Sequence, residues 1–137
     1  MKIVLDTNVL VAGLLSPFNA PGEIVRMASA GALQLCYDAR ILSEYTGVLR
    51  RPKFNLNASH VDALLGGIKA IGHSVVGVPL KRPLPDRSDE PFLEVAVAGK
   101  AACLVTGNLK HYPHADRQGI AVLPPSDFMT FYRKQQK

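Results

Sequence analysis

Short apolar runs alternate along the chain with longer segments in which apolar and polar residues mix. The runs are four to six residues long, and β-branched or large aliphatic side chains dominate them, which is typical of buried strands. The expected strands are Lys2–Leu5, 33–37, 73–78, 103–106 and 120–123. Buried strands that alternate with helices predict an α/β fold with a parallel sheet covered by helices on both faces.

The segments between these runs predict helices. The expected helices are 9–15, 23–30, 39–50, a segment ending at 71, 89–102 and one starting near 126. The helix 23–30 is expected to end at Gly31 as its C′ residue. The helix that ends at 71 is expected to begin at Asn57 or Ser59, and Ser126 is expected to cap the last helix. Prolines and glycines make 16–22 and 79–88 loops.

The composition indicates a globular protein. The chain has 137 residues, of which 47% are hydrophobic and 20% are charged, and we expect one domain over 1–137. This composition excludes a disordered chain, and neither glycine triplets nor sustained heptads occur. Polar residues interrupt the longest uncharged apolar stretch, so no membrane span is expected. No signal peptide is expected either, because strand-like residues begin at Lys2 and an acid follows at Asp6. Cys36 and Cys103 lie in apolar runs, which favours reduced core cysteines and a cytoplasmic protein.

The net charge is +5, with a sequence pI near 9.4, and this favours a polyanionic partner such as nucleic acid. Scattered solvated charge is the alternative. Two basic groups stand next to acidic segments in the sequence, and we expect them to line one groove that binds nucleic acid. They are Arg50, Arg51 and Lys53, and Lys81, Arg82 and Arg87.

Polar residues follow three of the expected strands. Asp6 follows the first strand, Asp38 the second, and Asn108 comes after the fourth. Ligand sites in open parallel sheets form beyond the carboxyl ends of the strands. Asp38 directly precedes a helix and is expected to cap it. Asp6 is followed by Thr7 and Asn8, which together supply more polar groups than one cap requires.

Further acids lie on or before two of the helices. Glu44 falls at the border of the apolar stripe of 39–50, and four acids occur within 86–94. Capping by Ser88 or Asp89 and the helix dipole at Glu90 account for part of this stretch, and Glu94 is expected to face solvent.

Carboxylates that converge repel one another unless a cation lies between them. An all-oxygen site suits Mg²⁺ or Mn²⁺, and such an ion activates water for phosphodiester hydrolysis.

Taken in order, these stretches resemble the PIN-domain family of metal-dependent nucleases, and most closely its bacterial toxins of toxin–antitoxin pairs (VapC-like). The matching stretches are 4–11, 42–54, 86–96 and 104–110. The resemblance implies a three-layer α/β/α fold with a five-stranded parallel sheet, a Mg²⁺ or Mn²⁺ site and ribonuclease activity. It also implies a homodimer or higher oligomer and a small antitoxin partner.

Carried over to this sequence, the family pattern makes Asp6 the first metal acid and Glu44 the second. The third falls on Asp89 or Glu90, and both stay open. Asn108 stands where the family usually has an aspartate, so a one-metal site is favoured, or a second metal that binds only with substrate. The supporting polar residues, expected to contact a metal-bound water or the phosphate, are Thr7, Asn8 and Thr106.

Two other functions compete with a metal-dependent endoribonuclease. A non-catalytic or weakly active RNA-binding PIN-like domain is favoured by Asn108. A small-molecule phosphohydrolase is disfavoured, since no phosphate loop and no Asp-x-Asp pair follow the first strand. The four histidines lack the partners of a catalytic triad, and Lys110 and His111 are expected at the surface, where contact with phosphate is the less favoured alternative.

Overall fold

Five parallel strands form one sheet in the computed structural model, which describes residues 1–136. The strand order is β3-β2-β1-β4-β5. The strands are β1 (Lys2–Leu5), β2 (Gln34–Tyr37), β3 (His73–Ser74), β4 (Leu104–Val105) and β5 (Val122–Leu123). The predicted α/β architecture with a five-stranded parallel sheet is confirmed. Lys137, the last residue of the expected domain, lies outside the described residues.

Six α-helices accompany the sheet within residues 1–136. They are α1 (Thr7–Leu15), α2 (Ala20–Ser29), α3 (Ala39–Leu49), α4 (Ala58–Ile71), α5 (Glu90–Ala98) and α6 (Pro125–Gln135). The strands contribute fully buried aliphatic side chains to the core, among them Ile3, Val4 and Leu5, and α5 contributes Phe92. Cys36 and Cys103 are buried free thiols, as expected. Within residues 1–136, no helix combines the length and the apolar character that a membrane span requires.

Local capping signals are confirmed at three helix ends. Asp38 accepts a hydrogen bond from the backbone N–H of Ile41 at 3.0 Å and caps α3. Asn57 does the same for α4 through the N–H of His60 at 3.1 Å. Gly31 follows the C-cap of α2 with a φ of +82°, a conformation that glycine adopts without a steric penalty.

Several element boundaries differ from the predictions, and helix α1 begins at Thr7 instead of Val9. Helix α2 begins three residues earlier than expected, because the side chain of Asn19 accepts from the N–H of Gly22. Strand β3 stops at Ser74, and Val76 beyond it is 88% exposed, so the apolar run did not indicate burial. Helix α5 ends at Ala98, and Lys100 then adopts a φ of +52°. Ser126 lies inside the first turn of α6 and does not cap it.

Candidate metal centre

The register of the two central strands places Asp6 beside Thr106. Leu5 of β1 pairs with Val105 of β4, so the next residues leave the sheet at the same point. The hydroxyl of Thr106 donates a hydrogen bond to Oδ2 of Asp6 at 2.9 Å, and both residues are buried. Strand β1 is central: β2 and β3 lie on one side of it, and β4 and β5 lie on the other. The strand order therefore reverses between β1 and β4, and parallel sheets bind ligands at such a switch point.

Tyr112 is a second donor to Asp6, and nothing in the sequence pattern indicated it. Its phenol lies 3.1 Å from the same Oδ2, and the side chain is fully buried. Burial raises the pKa of Asp6, while the hydrogen bonds from Thr106 and Tyr112 lower it and so favour the charged form. Asp6 occupies the N-cap position of α1, but its side chain makes no capping hydrogen bond. Its carboxylate is therefore available to the site.

Asp89 lies buried at the start of α5, after the 3₁₀ turn Arg87–Asp89. Burial raises the pKa of Asp89 to about 6, and repulsion from the negative charge of Asp6 adds to the rise. Asp6 and Asp89 therefore interact across the site. Oδ2 of Asp89 is buried.

His111 pairs with this oxygen. Its Nδ1 lies 2.9 Å from Oδ2 of Asp89, which is ion-pair and hydrogen-bond distance, and this contact lowers the pKa of Asp89. Asp86 is the third member of the group: one ligand atom from each of Asp86, Asp89 and His111 lies within 4.8 Å of the others. His111 was expected to be an ordinary surface residue, although its position just after Asn108, past the end of β4, was a usable signal.

Glu44 reaches the site from α3. Its half-buried carboxylate accepts a hydrogen bond from the hydroxyl of Thr7, the first residue of α1. Tyr45, the next residue of α3, donates to the backbone carbonyl of Leu5 and fixes the helix against β1. The carboxylate of Glu44 is thereby held near the residue that follows Asp6.

The other polar residues that the family resemblance assigns to the site connect the loops around Asp6. Oδ1 of Asn8 accepts from the N–H of Gly107 at 3.0 Å, which joins α1 to the loop after β4. The backbone N–H of Asn108 donates to the hydroxyl of Thr106 at 3.0 Å, and the Asn108 residue itself is exposed. These contacts orient Thr106 toward Asp6.

Glu90 and Glu94 have other partners. Oε2 of Glu90 accepts a hydrogen bond from the N–H of Leu84 at 2.9 Å and fastens the preceding loop to α5. Glu94 pairs with Arg40 at 2.9 Å, and its side chain is only 12% exposed, so the expectation that it faces solvent is wrong. Arg40 also pairs with Asp38 at 2.7 Å, and this contact lies on the β2 side of the sheet.

The two basic groups occupy different surroundings. Phe54, whose ring lies 5.0 Å from Nζ of Lys53, lines an apolar cavity together with Thr7 and Asn8. Lys81 and Arg82 instead line a cavity with Val97, near the C-terminal end of α5. Two further members of the basic groups have other surroundings. Arg50 pairs with Asp62 at 3.0 Å, and Arg87 belongs to the turn that carries Asp89.

The donor set fits a hard divalent cation. The carboxylates of Asp6 and Asp89 repel each other in a buried setting, and Glu44 adds a third carboxylate nearby. A cation between them neutralises this repulsion. Carboxylate oxygens are ligands suited to Mg²⁺ and Mn²⁺.

The family of the chain follows from a comparison of its sequence with family profiles. A PIN-domain family profile matches residues 2–110, a span that covers β1 through β4 and every acid described above. The chain belongs to the PIN-domain family, whose members are in general metal-dependent nucleases. A search of curated proteins finds no match.

Proposed function

We propose that the protein is a metal-dependent endoribonuclease that hydrolyses RNA phosphodiester bonds with water. The observation that carries the proposal is the pair of buried carboxylates of Asp6 and Asp89, which repel each other. Buried carboxylates that repel each other are costly to keep ionised, and a bound cation lowers that cost. The class of the family, a metal-dependent nuclease, agrees with such a cation.

In this proposal Asp6 and Asp89 hold the ion, and Glu44 contributes nearby or through a water molecule. When bound there, Mg²⁺ or Mn²⁺ supplies Lewis-acid activation of water and of the phosphate. Thr106 and Tyr112 hold the carboxylate of Asp6 in one orientation through the hydrogen bonds at 2.9 and 3.1 Å. Glu90 stays outside the ligand set, because its carboxylate is engaged by Leu84.

RNA as the substrate is supported by charge and by position. The net charge of +5 favours the phosphate backbone. The 3₁₀ turn Pro52–Phe54 carries Lys53, and its Phe54 shares a cavity with Thr7 and Asn8 beside Asp6. We therefore place the incoming strand along this turn, with Arg51 and Lys53 as phosphate contacts.

Cleavage of a single-stranded RNA in the presence of Mn²⁺ tests the proposal. We expect Asp6→Asn and Asp89→Asn each to reduce the rate at least about a hundredfold, because several kcal/mol of metal-assisted stabilisation are lost. Asp127→Asn, an exposed acid in the first turn of α6, is the matched control and retains activity. Cleavage that survives in both site variants would refute the assignment.

A non-catalytic RNA-binding domain is the second candidate. Asn108 favours it, because this exposed position lacks the charge that the family pattern carries there. RNA binding without cleavage in both Mg²⁺ and Mn²⁺ would establish this alternative.

A role as the toxin of a toxin–antitoxin pair extends the first candidate, and its support is the sequence resemblance alone. The same resemblance supports a cytoplasmic homodimer or higher oligomer and a small antitoxin partner. Expression of wild type and Asp6→Asn in a bacterial host tests the toxin role: growth arrest by the wild type only is expected. Sedimentation velocity of the purified protein tests the oligomeric state.

A further inference from the structure

A cavity of about 390 Å³ lies beside the proposed metal site, and its walls come from α1, from α3 and from the turn Pro52–Phe54. We propose that this cavity is a subsite for an unpaired nucleobase next to the scissile phosphate, with the ring of Phe54 as the surface on which the base stacks. The inference rests on the proposed function in that one RNA strand occupies both the subsite and the metal site.

One face of α1 is apolar although solvent reaches it. Thr7, Val11 and Leu15 follow one another at intervals of four residues, so they lie along the same side of the helix, and all three line the cavity. Thr7 is buried and Leu15 is 51% exposed, so the cavity runs from the metal site toward solvent over about 12 Å. Val9 and Leu10 are buried in the core. The helix has no charged residue, and an apolar face that the fold leaves uncovered is typical of a binding surface.

The inner end of the cavity shares residues with the proposed metal site. Thr7 directly follows Asp6, and its hydroxyl donates a hydrogen bond to Glu44. Asn8 accepts a hydrogen bond from the N–H of Gly107 at 3.0 Å, which links the cavity wall to the loop after β4. A phosphate that lies at these acids therefore has the adjoining base within reach of the cavity.

The turn Pro52–Phe54 places an aromatic ring beside a positive charge. Nζ of Lys53 lies 5.0 Å from the centre of the Phe54 ring, which is within the range of a cation–π contact. Phe54 is half-buried and Lys53 is exposed. A base that stacks on Phe54 brings its own phosphate with it, and the ammonium group beside the ring provides the opposite charge for that phosphate.

A nucleotide matches this combination better than an apolar peptide or a second copy of the chain does. It joins a flat apolar base to a charged phosphate, and here apolar walls adjoin both a lysine and a site suited to a cation. An apolar partner would cover the walls but bring no charge complementary to Lys53. The volume of about 390 Å³ is near the lower end of the range of about 300–1,000 Å³ for small-ligand sites, which suits a single nucleotide.

Such a subsite restricts the substrate to RNA with unpaired bases. Stacked neighbours cover the faces of paired bases, so proteins stack aromatic side chains on bases of single strands, loops and bulges. A base must therefore leave its stack before it can lie between α1 and Phe54. Every base has a face that can stack, so we expect a preference for single-stranded regions without a strict requirement for one base.

Two single-stranded ligands of equal charge separate the contribution of the bases from that of the backbone. One is a uridine octamer. The other is an octamer of 1-deoxyribose phosphates, which lacks bases but keeps the 2′-hydroxyls. Fluorescence anisotropy measures both affinities in the Asp6→Asn protein, in which the RNA is expected to stay intact. We expect the uridine octamer to bind at least about fivefold more tightly, the lower end of what the stacking of one base contributes.

Variants of the cavity walls locate this preference. Phe54→Ala should bring the two affinities close together because the ring is lost, and Phe54→Tyr should keep them apart. Ala12→Leu fills the cavity without removing a polar side chain, and it should also abolish the preference, which makes the test independent of any effect of Phe54 on folding. Phe18→Ala, which removes a ring that is 96% exposed between α1 and α2, is the matched control and keeps the preference.

The salt dependence distinguishes stacking from an indirect effect on Lys53. A base contact releases no counterions, so Phe54→Ala should weaken binding of the uridine octamer without changing the slope of log affinity against log salt. If Phe54 served only to position Lys53, Phe54→Ala would flatten the slope and weaken both octamers alike. That result overturns the subsite, as do equal affinities of the two octamers when Phe54 is present. Self-association that Ala12→Leu abolishes in sedimentation velocity also overturns it, because a second copy then fills the cavity.

The two proposals fail separately. Binding that depends on the bases and on Phe54, by a wild type that cleaves no RNA with Mn²⁺ or Mg²⁺, retains the subsite and refutes the nuclease. Cleavage by the wild type, with a rate and an RNA affinity that are unchanged in Phe54→Ala and Ala12→Leu, retains the nuclease and excludes the subsite.

Discussion

The phenol of Tyr112 donates a hydrogen bond to Oδ2 of Asp6 across 106 positions of the chain. Thr106 donates to the same oxygen, so one buried carboxylate oxygen receives two neutral donors. Hydrogen bonds to a charged group are stronger than those between neutral groups. The pair therefore stabilises the charged form of Asp6 and ties the loop after β4 to the end of β1.

Tyr112→Phe should lower the free energy of unfolding by about 1.5–3 kcal/mol at neutral pH, because the variant cannot donate a hydrogen bond to the buried carboxylate. Urea unfolding of the metal-free protein measures the change. Tyr132→Phe, on α6 and half-buried, is the control. Combined with Asp6→Asn, the effect of Tyr112→Phe should shrink; an unchanged effect in that background would contradict a direct interaction.

The raised pKa of Asp89 predicts a pH dependence for the metal-free protein. Its pKa rises from 3.8 to about 6 on folding, so the folded state holds this proton more tightly than the unfolded chain does. The stability contribution of the group is therefore fully present below about pH 3.8, and it is lost as the pH rises toward 6.

Asp89→Asn removes this dependence. At pH 7 and in the presence of a chelator, the variant should unfold at a higher temperature than the wild type, and the difference should narrow as the pH falls toward 4. Thermal unfolding across this range provides the measurement. A difference that is the same at every pH would show that Asp89 is not the titrating group.

Glu90 is predicted to matter for stability and not for cleavage. Glu90→Gln keeps an oxygen acceptor for the N–H of Leu84 and should leave both properties near wild type. Glu90→Ala leaves that N–H without its partner and should cost about 1 kcal/mol, with cleavage retained. Denaturant unfolding and RNA cleavage of both variants, beside Asp89→Asn, identify the acid that holds the metal. Loss of cleavage in Glu90→Gln would make Glu90 a ligand.

The surroundings of the basic residues predict which of them bind RNA. Arg51→Ala with Lys53→Ala should flatten the logarithmic salt dependence of RNA affinity by about 0.7 for each phosphate that these side chains neutralise. Lys81→Ala with Arg82→Ala removes the same charge beside Val97 and is the matched control. Fluorescence anisotropy over a salt series measures both slopes. Equal flattening would indicate a diffuse charge effect instead of a defined path.

Asn108→Asp adds a carboxylate at the exposed end of the loop after β4. We expect tighter Mn²⁺ binding and faster cleavage, because one more negative charge faces the cation. Calorimetric titration gives the affinity, and Gln135→Glu on α6 supplies the same charge change away from the site. An affinity that matches this control would place Asn108 outside the site.

The local features of the chain determined much of the fold. Alternating apolar runs and amphipathic segments specify a parallel sheet because hydrophobic period and turn composition act over a few residues. The caps at Asp38 and Asn57 and the end of α2 at Gly31 are equally local, and each is confirmed. The placement of Asp6 after a buried strand follows from the same reasoning.

Tertiary packing decided what the acids face. Asp89 and Glu90 are neighbours in sequence, but the turn into α5 buries one beside Asp6 and directs the other to Leu84. The side chain of Glu94 is largely buried because it pairs with Arg40, 54 positions earlier in the chain. Tyr112 and His111 joined the site through a loop whose path no periodic pattern specifies. Contacts of this kind depend on strand order and loop geometry, so they arise only when distant segments pack together.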